Sequence, residues 1–262
     1  MLSVAGVAIA TIEGVQPMHF GGSEELFQTK LMALWKMVIT NLAFSDDTKI
    51  SQLSAMCDAL CCGLFRHISI PNRDDLPDLK SVMQTLKSKL ATDALFYGVV
   101  DSTDEWALYQ RNVGYLCRDR SFFVTTEGSV GIAPLSARPG DTVCVLLGCY
   151  STILLRQTKD DTYQFVGQSY MPGVHAGEAL LGPLPEHLRP VQYYDEVAKK
   201  FHFGYWNEHE GIVQFKDPRL DKLLRNPGFE VREQGEDRFP RIETSVEALR
   251  NAGIAAQYFD LV

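Results

Sequence analysis

Six polar side chains between residues 141 and 178 have the types and spacing that could perform chemistry. They are Asp141, Arg156, Gln168, Tyr170, His175 and Glu178. Arg156, Tyr170 and His175 are hydrogen-bond donors that could polarise a substrate carbonyl, and one such donor typically contributes about 10²-fold or more. Glu178 lies three residues after His175, so it could orient the imidazole or act as a base. The predicted catalytic residues are therefore His175, Glu178, Tyr170 and Arg156.

Some of the same residues also have a structural interpretation. Asp141 follows Gly140 at a turn, where a carboxylate commonly accepts hydrogen bonds from nearby backbone amides. Arg156 and Glu178 could form an ion pair with each other instead of contacting a substrate. The sequence leaves both interpretations open.

Chemistry that depends on a cofactor has no motif in the chain. No glycine-rich loop follows a strand and begins a helix, as dinucleotide and P-loop sites require. There is no Gly-x-Ser-x-Gly nucleophile elbow and no His-Glu-x-x-His helix. A His-x-Asp pair of the kind that binds iron is also missing. We expect no cofactor.

The six cysteines do not form a recognisable metal or disulfide pattern. None belongs to a Cys-x-x-Cys pair, and their apolar surroundings are typical of buried, reduced thiols. Cys57 and Cys61 have helical spacing and His67 follows them, but no second pair of ligands completes a metal site. We expect no bound metal.

Short strands between Arg120 and Glu178 would position the predicted catalytic residues. β-Branched or aromatic runs alternate there with turn signals at about ten-residue spacing. The predicted strands are Phe122 to Thr126, Ser129 to Ala133, Thr142 to Leu147, Thr152 to Gln157 and Tyr163 to Tyr170. This pattern predicts a small, strongly bent antiparallel sheet or a partly closed barrel.

A predicted strand and four predicted helices come before this sheet. Residues 2–12 are apolar enough for a buried strand, and apolar residues then recur every three or four positions over four segments. These segments are 23–42, 51–64, 77–90 and 103–116. We therefore predict an α+β fold in which the N-terminal helices pack on the bent sheet.

The same stretch resembles a known family. It is similar to the region downstream of the HET domain in fungal heterokaryon-incompatibility proteins. The resemblance is carried by Arg120 and Phe122, Gly131-Ile132-Ala133-Pro134, Gly140-Asp141-Thr142-Val143-Cys144-Val145-Leu146, Gly148, Leu155-Arg156, Val166-Gly167-Gln168-Ser169-Tyr170-Met171-Pro172-Gly173 and Gly177-Glu178. Four residues differ from those usual in the family at these positions: Ala133, Thr152, Gln168 and Pro172. The HET domain, the presumed executor of incompatibility, would lie upstream of Leu2, so the chain is either a fragment or a stand-alone descendant.

The C-terminal part resembles a WW domain, a short three-stranded sheet. The similar residues are Tyr205-Trp206-Asn207-Glu208-His209 and Asp217-Pro218-Arg219-Leu220. Leu188 and Phe215 stand where the two tryptophans would be, and without the second tryptophan we expect no polyproline binding. We predict antiparallel strands over residues 201–216, retained as packing. The predicted domains are residues 1–180 and 184–262.

Composition limits the class of protein and its partners. The chain has 262 residues, of which 45% are hydrophobic, and this suffices for one large or two modest domains. The chain has no apolar run long enough for a membrane span and no basic segment typical of a signal peptide. A net charge of −8 argues against binding to nucleic acid or to an anionic membrane. We expect a cytoplasmic protein that binds neither.

Two functions from different classes fit these features. The first is a stand-alone, cofactor-free cyclase of the pericyclase or Diels-Alderase kind. It would fold a small hydrophobic substrate, a polyunsaturated or terpenoid intermediate of fungal secondary metabolism, in an apolar pocket. The alternative is a non-catalytic recognition or regulatory module of the heterokaryon-incompatibility type. A complete core without the HET effector favours the cyclase, and a neighbouring terpene or polyketide synthase gene would support it.

Overall fold

The computed structural model describes residues 2–20, 24–40, 46–65, 76–91, 104–149, 151–174, 177–195, 200–232 and 241–262. The first half contains β1 (Leu2–Met18), α1 (Glu24–Thr40), α2 (Asp46–Leu60), α3 (Leu79–Ala91), α4 (Asp104–Leu116), β2 (Arg120–Thr125) and β3 (Val130–Pro134). The second half contains β4 (Thr142–Leu146), β5 (Thr152–Gln157), β6 (Tyr163–Ser169), α5 (Glu178–Leu181), β7 (Leu188–Asp195), β8 (Lys200–Asn207), β9 (Ile212–Gln214), α6 (Leu220–Leu223), β10 (Phe229–Arg232), β11 (Arg241–Thr244), α7 (Val246–Asn251) and β12 (Ala256–Leu261).

The long first strand holds the barrel together because it pairs with three others. Its beginning pairs with β12, its middle with β4 and its end with β2, all antiparallel. Register shifts between Ala8 and Ala10 and between Ile12 and Gly14 mark the points where the pairing changes. Such bulges bend a strand and increase its twist, so one strand can follow the curved wall. Gly6 permits the close approach to β4, since a Cβ there would lie 2.5 Å from the carbonyl oxygen of Val145.

The remaining strands curl until the sheet meets itself. The strand order is β12-β6-β5-β4-β1-β2-β3, and β12 also pairs with β1. On the other side, Ile132 and Tyr170 exchange two backbone hydrogen bonds of 2.9 Å, which join β3 to the end of β6. Apolar side chains from the strands fill the interior, among them Ile12, Phe123, Ala133, Val143 and Leu154. The predicted bent sheet or partly closed barrel is confirmed.

The five predicted strands of the barrel lie within about two residues of the observed bounds. One pairing differs from the expected antiparallel pattern. The C-terminal strand β12 meets β6 in parallel, with Leu261 opposite Tyr163. The two strands are far apart in sequence, so no hairpin turn fixes their relative direction.

The N-terminal helices cover the outer face of β2 and β3, as the amphipathic pattern predicts. Phe122, Val124, Val130 and Ile132 on that face share one core with α1, α2, α3 and α4. The largest helical contributions are Leu31, Leu34, Met56, Leu60, Leu86, Trp106 and Tyr109. Full burial of one such side chain contributes about 1.5–3 kcal/mol. The α+β architecture is therefore confirmed, although α2 begins earlier than predicted.

The C-terminal part contains the predicted three-stranded sheet, β7-β8-β9. Tyr205, Trp206 and Asn207 of β8 pair with β9, which confirms antiparallel strands in the predicted segment. Leu188 is buried, whereas Phe215 is 57% exposed. A separate cluster around Leu249 packs α7 against β1. No helix in the described part of the chain is long and apolar enough to cross a membrane.

Candidate functional site

Arg156 on β5 is held by a carboxylate of the loop that precedes β4. Its Nε and Nη2 atoms donate to Asp141 at 2.7 and 2.9 Å, and Nη2 also donates to the Ser136 carbonyl at 2.8 Å. Asp141 is 1% exposed and accepts a third hydrogen bond from the backbone amide of Arg138. The hydrogen bonds that Arg156 donates to Asp141 raise the pKa of the guanidinium. Asp141 therefore has the structural role in a turn that the sequence suggested, while the suggested pair between Arg156 and Glu178 is wrong.

Tyr170 joins the barrel closure to the helices. Its hydroxyl donates to Oδ2 of Asp58 on α2 at 2.9 Å. Burial, followed by the charge of Asp58, raises the pKa of Tyr170 far above its ordinary value, so the phenol stays protonated. Gly63, at φ 74°, leaves room for this contact because a Cβ there would lie 2.5 Å from the Tyr170 hydroxyl. Tyr170 thus packs between two elements of the fold.

Glu178, the first residue of α5, interacts electrostatically with Tyr170 and with Arg219. Its charge contributes to the raised pKa of Tyr170 and to the raised pKa of Arg219. Tyr170 and Glu178, two of the four predicted catalytic residues, therefore interact electrostatically. Arg156 binds Asp141 instead, and His175 lies outside the described residues.

Arg219 fastens the three-stranded sheet to α5. Its guanidinium forms an ion pair of 2.6 Å with Asp217 and donates to the carbonyl of Gly182 at 2.6 Å, just after α5. The Tyr205 hydroxyl also donates to Asp217, at 2.9 Å. Burial opposes ionisation of Asp217, but hydrogen bonds from Arg219 outweigh burial, so the pKa of Asp217 is lowered. The Asp-Pro-Arg motif therefore anchors the sheet to the barrel.

An open cleft lies where the barrel wall separates between β3 and β6. It has a volume of about 510 Å³ and is lined by Arg118, Asp119, Arg120, Pro134, Phe165 and Gln168. Pro134 cannot continue the pairing beyond Ile132 and Tyr170, because proline has no backbone N–H. Gly167, at φ 149°, also approaches Pro134 so closely that a Cβ would lie 2.6 Å from its Cγ. Backbone pairing between β3 and β6 therefore ends at this position, although Pro134 and Gly167 stay in contact, and the cleft lies beside them.

The lining of the cleft combines basic and apolar side chains. Arg118 is exposed and makes no ion pair with another described side chain. Arg120 reaches across the opening, and its Nη1 lies 3.4 Å from the carbonyl oxygen of Gln168. Phe165 is 53% exposed, which is unusual for a phenylalanine on a barrel strand. Such a surface can bind a carboxylate beside an apolar group.

Sequence reasoning found only part of this cleft. It singled out Gln168 among the polar residues and Arg120 within the family pattern, but it missed Arg118 and Phe165. The alternation Arg118-Asp119-Arg120 at the start of a strand is the one local signal that was available. Phe165 carries no such signal, because a strand phenylalanine is usually buried.

Four of the six cysteines have the buried, reduced thiols that the sequence predicts. Cys57, Cys61, Cys117 and Cys144 are buried and free of disulfides, whereas Cys62 is half-buried and Cys149 is exposed. Burial raises the pKa of Cys57 to about 12. Among the described residues, no group of three or more His, Cys, Asp or Glu side chains could hold a metal ion. His67, the third member of the possible metal set, lies outside the described residues.

Comparison with known proteins identifies the family to which the barrel belongs. The model of the Het-6 beta-barrel domain matches residues 33–182, more than half of the chain. The chain belongs to this family. It therefore carries a module of the heterokaryon-incompatibility type, in agreement with the fungal resemblance. The Het-6 match begins within α1 and continues through α5, while β1 and β12, which complete the barrel, lie outside it. No curated protein and no solved structure matches the chain.

Proposed function

We propose that this protein is a non-catalytic recognition module of the heterokaryon-incompatibility type, and that the cleft between β3 and β6 binds its partner. The observation that carries the proposal is the Het-6 beta-barrel match over residues 33–182. The cleft supports the proposal because its exposed Phe165 and two arginines are suited to binding a protein. Aromatic residues and arginine are the residue types enriched at the centres of protein interfaces.

The contacts of the predicted catalytic donors also favour recognition over catalysis. Arg156 uses its guanidinium on Asp141 and Ser136, and Tyr170 donates its hydroxyl proton to Asp58. A donor that polarises a substrate must instead point at the position where charge develops. Both side chains serve the packing of the barrel in this arrangement.

The described cavities do not favour a cyclase. A site for a drug-sized substrate encloses most of the ligand within about 300–1,000 Å³ of mainly apolar space. The cleft of about 510 Å³ is open to solvent and has charged residues at its rim. A second cavity in the described part of the chain, between β1 and α1, holds about 60 Å³. A polyunsaturated chain would remain largely in water in the first and would not fit in the second.

A recognition module acts through a difference in affinity between partners. Such a difference arises from well-matched contacts with one partner and from clashes or unpaired charges with another. The cleft can discriminate in both ways. Arg118 and Arg120 attract acidic residues of a partner and repel basic ones, while Phe165 favours a partner surface of complementary shape. Changes at these positions would alter partner choice without altering the barrel.

The test separates recognition from biosynthesis in one genetic background. The gene is deleted in the fungus that carries it, and the deletion strain is paired with a panel of strains that differ in incompatibility genotype. We expect the fraction of viable fused cells to change in at least one pairing, while the metabolite profile stays the same. Loss of a cyclised metabolite, with unchanged viability in every pairing, would support the cyclase and overturn the proposal.

A further inference from the structure

We propose that the cleft binds an extended, acidic segment of a partner protein, which adds to the barrel as a strand along β6. This inference rests on the proposed recognition function and specifies the chemistry of the partner. Three observations carry it: an edge of β6 without a strand partner, the opening beside Pro134, and the two arginines next to Phe165.

The edge of β6 that faces away from β5 has no strand partner over most of its length. β6 pairs with β5 from Tyr163 to Ser169, but on its other side it meets β12 only at Tyr163. Beyond its last residue, the chain meets β3 only through the bridge between Ile132 and Tyr170. No described strand pairs with residues 164–169 on this side. Pro134 packs against Gly167 and Arg120 donates to the Gln168 carbonyl, so the part of this edge that lies open beside the cleft is residues 164–166, about 10 Å of strand.

The neighbouring strand β3 stops pairing with this edge at the bridge between Ile132 and Tyr170. Pro134 has no backbone N–H, so β3 cannot continue the ladder that starts at Ile132. Gly167 and the register shift between Leu154 and Leu155 bend β6 at the same position. An edge with unpaired N–H and C=O groups is a template for strand addition, and natural proteins usually protect such an edge. Here the cleft of about 510 Å³ lies beside the edge instead.

The charges of the cleft select the kind of segment. Arg118 and Arg120 flank a single carboxylate, Asp119, so the cleft carries net positive charge on a chain whose net charge is −8. A guanidinium binds a carboxylate through two parallel hydrogen bonds, which makes arginine well suited to an acidic residue. Phe165 lies exposed beside these arginines and offers a surface to an apolar side chain.

A bound strand could offer acidic side chains to the arginines and apolar side chains to Phe165. Successive side chains of a strand point to opposite faces, so a segment that alternates acidic and β-branched residues presents one kind to each face. The acidic residues would meet the arginines, while the β-branched residues would favour the extended conformation. Backbone hydrogen bonds with β6 would supply affinity that does not depend on sequence.

The test uses the full chain and a defined peptide probe. The probe is a fluorescent, capped hexapeptide of sequence Thr-Glu-Val-Glu-Val-Thr, and binding is measured by fluorescence polarisation. One control peptide replaces both glutamates with lysine, and a second carries N-methyl groups on alternate residues, which block backbone pairing on one edge. Each control is expected to bind about tenfold more weakly or worse, because charged hydrogen bonds and strand pairing are lost.

Variants of the protein test whether the probe binds in the cleft. Arg118→Glu alone, and together with Arg120→Glu, should weaken binding by about tenfold or more. Arg111→Glu is the matched control, because it makes the same charge change at an exposed position of α4, and its binding should be unchanged. Arg118→Glu remains informative if the double variant is unstable, since Arg118 is exposed.

Four results would overturn the inference. They are no binding of the acidic peptide, equal binding to Arg118→Glu and wild type, equal binding of the N-methylated peptide, and a dimer in sedimentation that Arg118→Glu dissociates. The last result would assign the cleft to a second copy of the chain.

A failed inference is distinguishable from a failed function. If gene deletion alters the viability of fused cells but replacement by Arg118→Glu does not, the recognition function stands and the cleft is not its site. If neither change has an effect, the function itself is wrong.

Discussion

Replacement of Arg156 by methionine tests whether this residue holds the fold or performs chemistry. The substitution keeps much of the aliphatic stem but removes two of the three hydrogen bonds that Asp141 accepts. Asp141 is 1% exposed, so its carboxylate would remain charged and poorly compensated. Removal of one partner from a buried pair costs about 3–5 kcal/mol. Arg156 is 27% exposed and water can replace part of its contact, so we expect a loss of about 2–4 kcal/mol.

Urea unfolding, followed by circular dichroism, measures this loss in the free energy of unfolding. Arg138→Met is the matched control, because the exposed Arg138 bonds Asp141 through its backbone, and it should change stability by less than about 0.5 kcal/mol. Asp141→Asn and the double variant complete a cycle whose coupling energy should be about 1–3 kcal/mol. A loss below about 0.5 kcal/mol for Arg156→Met, or additive effects in the cycle, would refute the structural role of the pair.

Three further predictions concern other described contacts. Tyr170→Phe should destabilise the protein by about 1–2 kcal/mol in the same assay, because the hydroxyl no longer donates to Asp58; an unchanged free energy would contradict this. At about pH 8, a thiol reagent should modify the exposed Cys149 first and the other five cysteines only after unfolding, since burial raises the pKa of each of the five. The lowered pKa of Asp217 stabilises the fold fully above the unfolded-state value of about 3.9, and this stability is lost as the pH falls through the folded-state value. Asp217→Asn should therefore flatten the acid side of the stability profile, and an unchanged acid slope would contradict the pairing with Arg219.

The elements of this fold could be predicted because each has a local signal. Phe27, Leu31, Leu34 and Val38 recur at helical spacing and all four are buried on one face of α1. Ser245 is a residue type that favours the N-cap of a helix, and its hydroxyl accepts a hydrogen bond from the amide of Ala248 at 3.0 Å. Periodicity and capping depend on neighbours along the chain, so the sequence contains the information directly.

The closure of the barrel could not be predicted in the same way. The pairing of β12 with β1 joins Leu2 to Leu261 across almost the whole chain. The apolar pattern of each strand shows that a partner exists but does not specify which strand provides it. The parallel contact between Leu261 and Tyr163 follows from that long-range arrangement.

The candidate site was predicted only in part, because charge and polarity do not reveal partners. The loop before β4 turns so that Asp141, fifteen residues away from Arg156, reaches its guanidinium. Glu178 was predicted to act beside His175, and nothing in the local sequence indicates that its charge also acts on Tyr170 and on Arg219, which belongs to the C-terminal part of the chain. The cleft depends on where Pro134 interrupts pairing with β6, a position set by barrel register rather than by any motif.

Complementation of the deletion strain tests the central claim most directly. Wild type, Arg118→Glu and Arg111→Glu are each reintroduced at the native locus, and viable fused cells are counted in the pairing that deletion alters. We predict that wild type and Arg111→Glu restore the original viability, while Arg118→Glu, at equal protein level, behaves like the deletion. Full restoration by Arg118→Glu would contradict recognition through the cleft, and an absence of any pairing altered by deletion would contradict the recognition function.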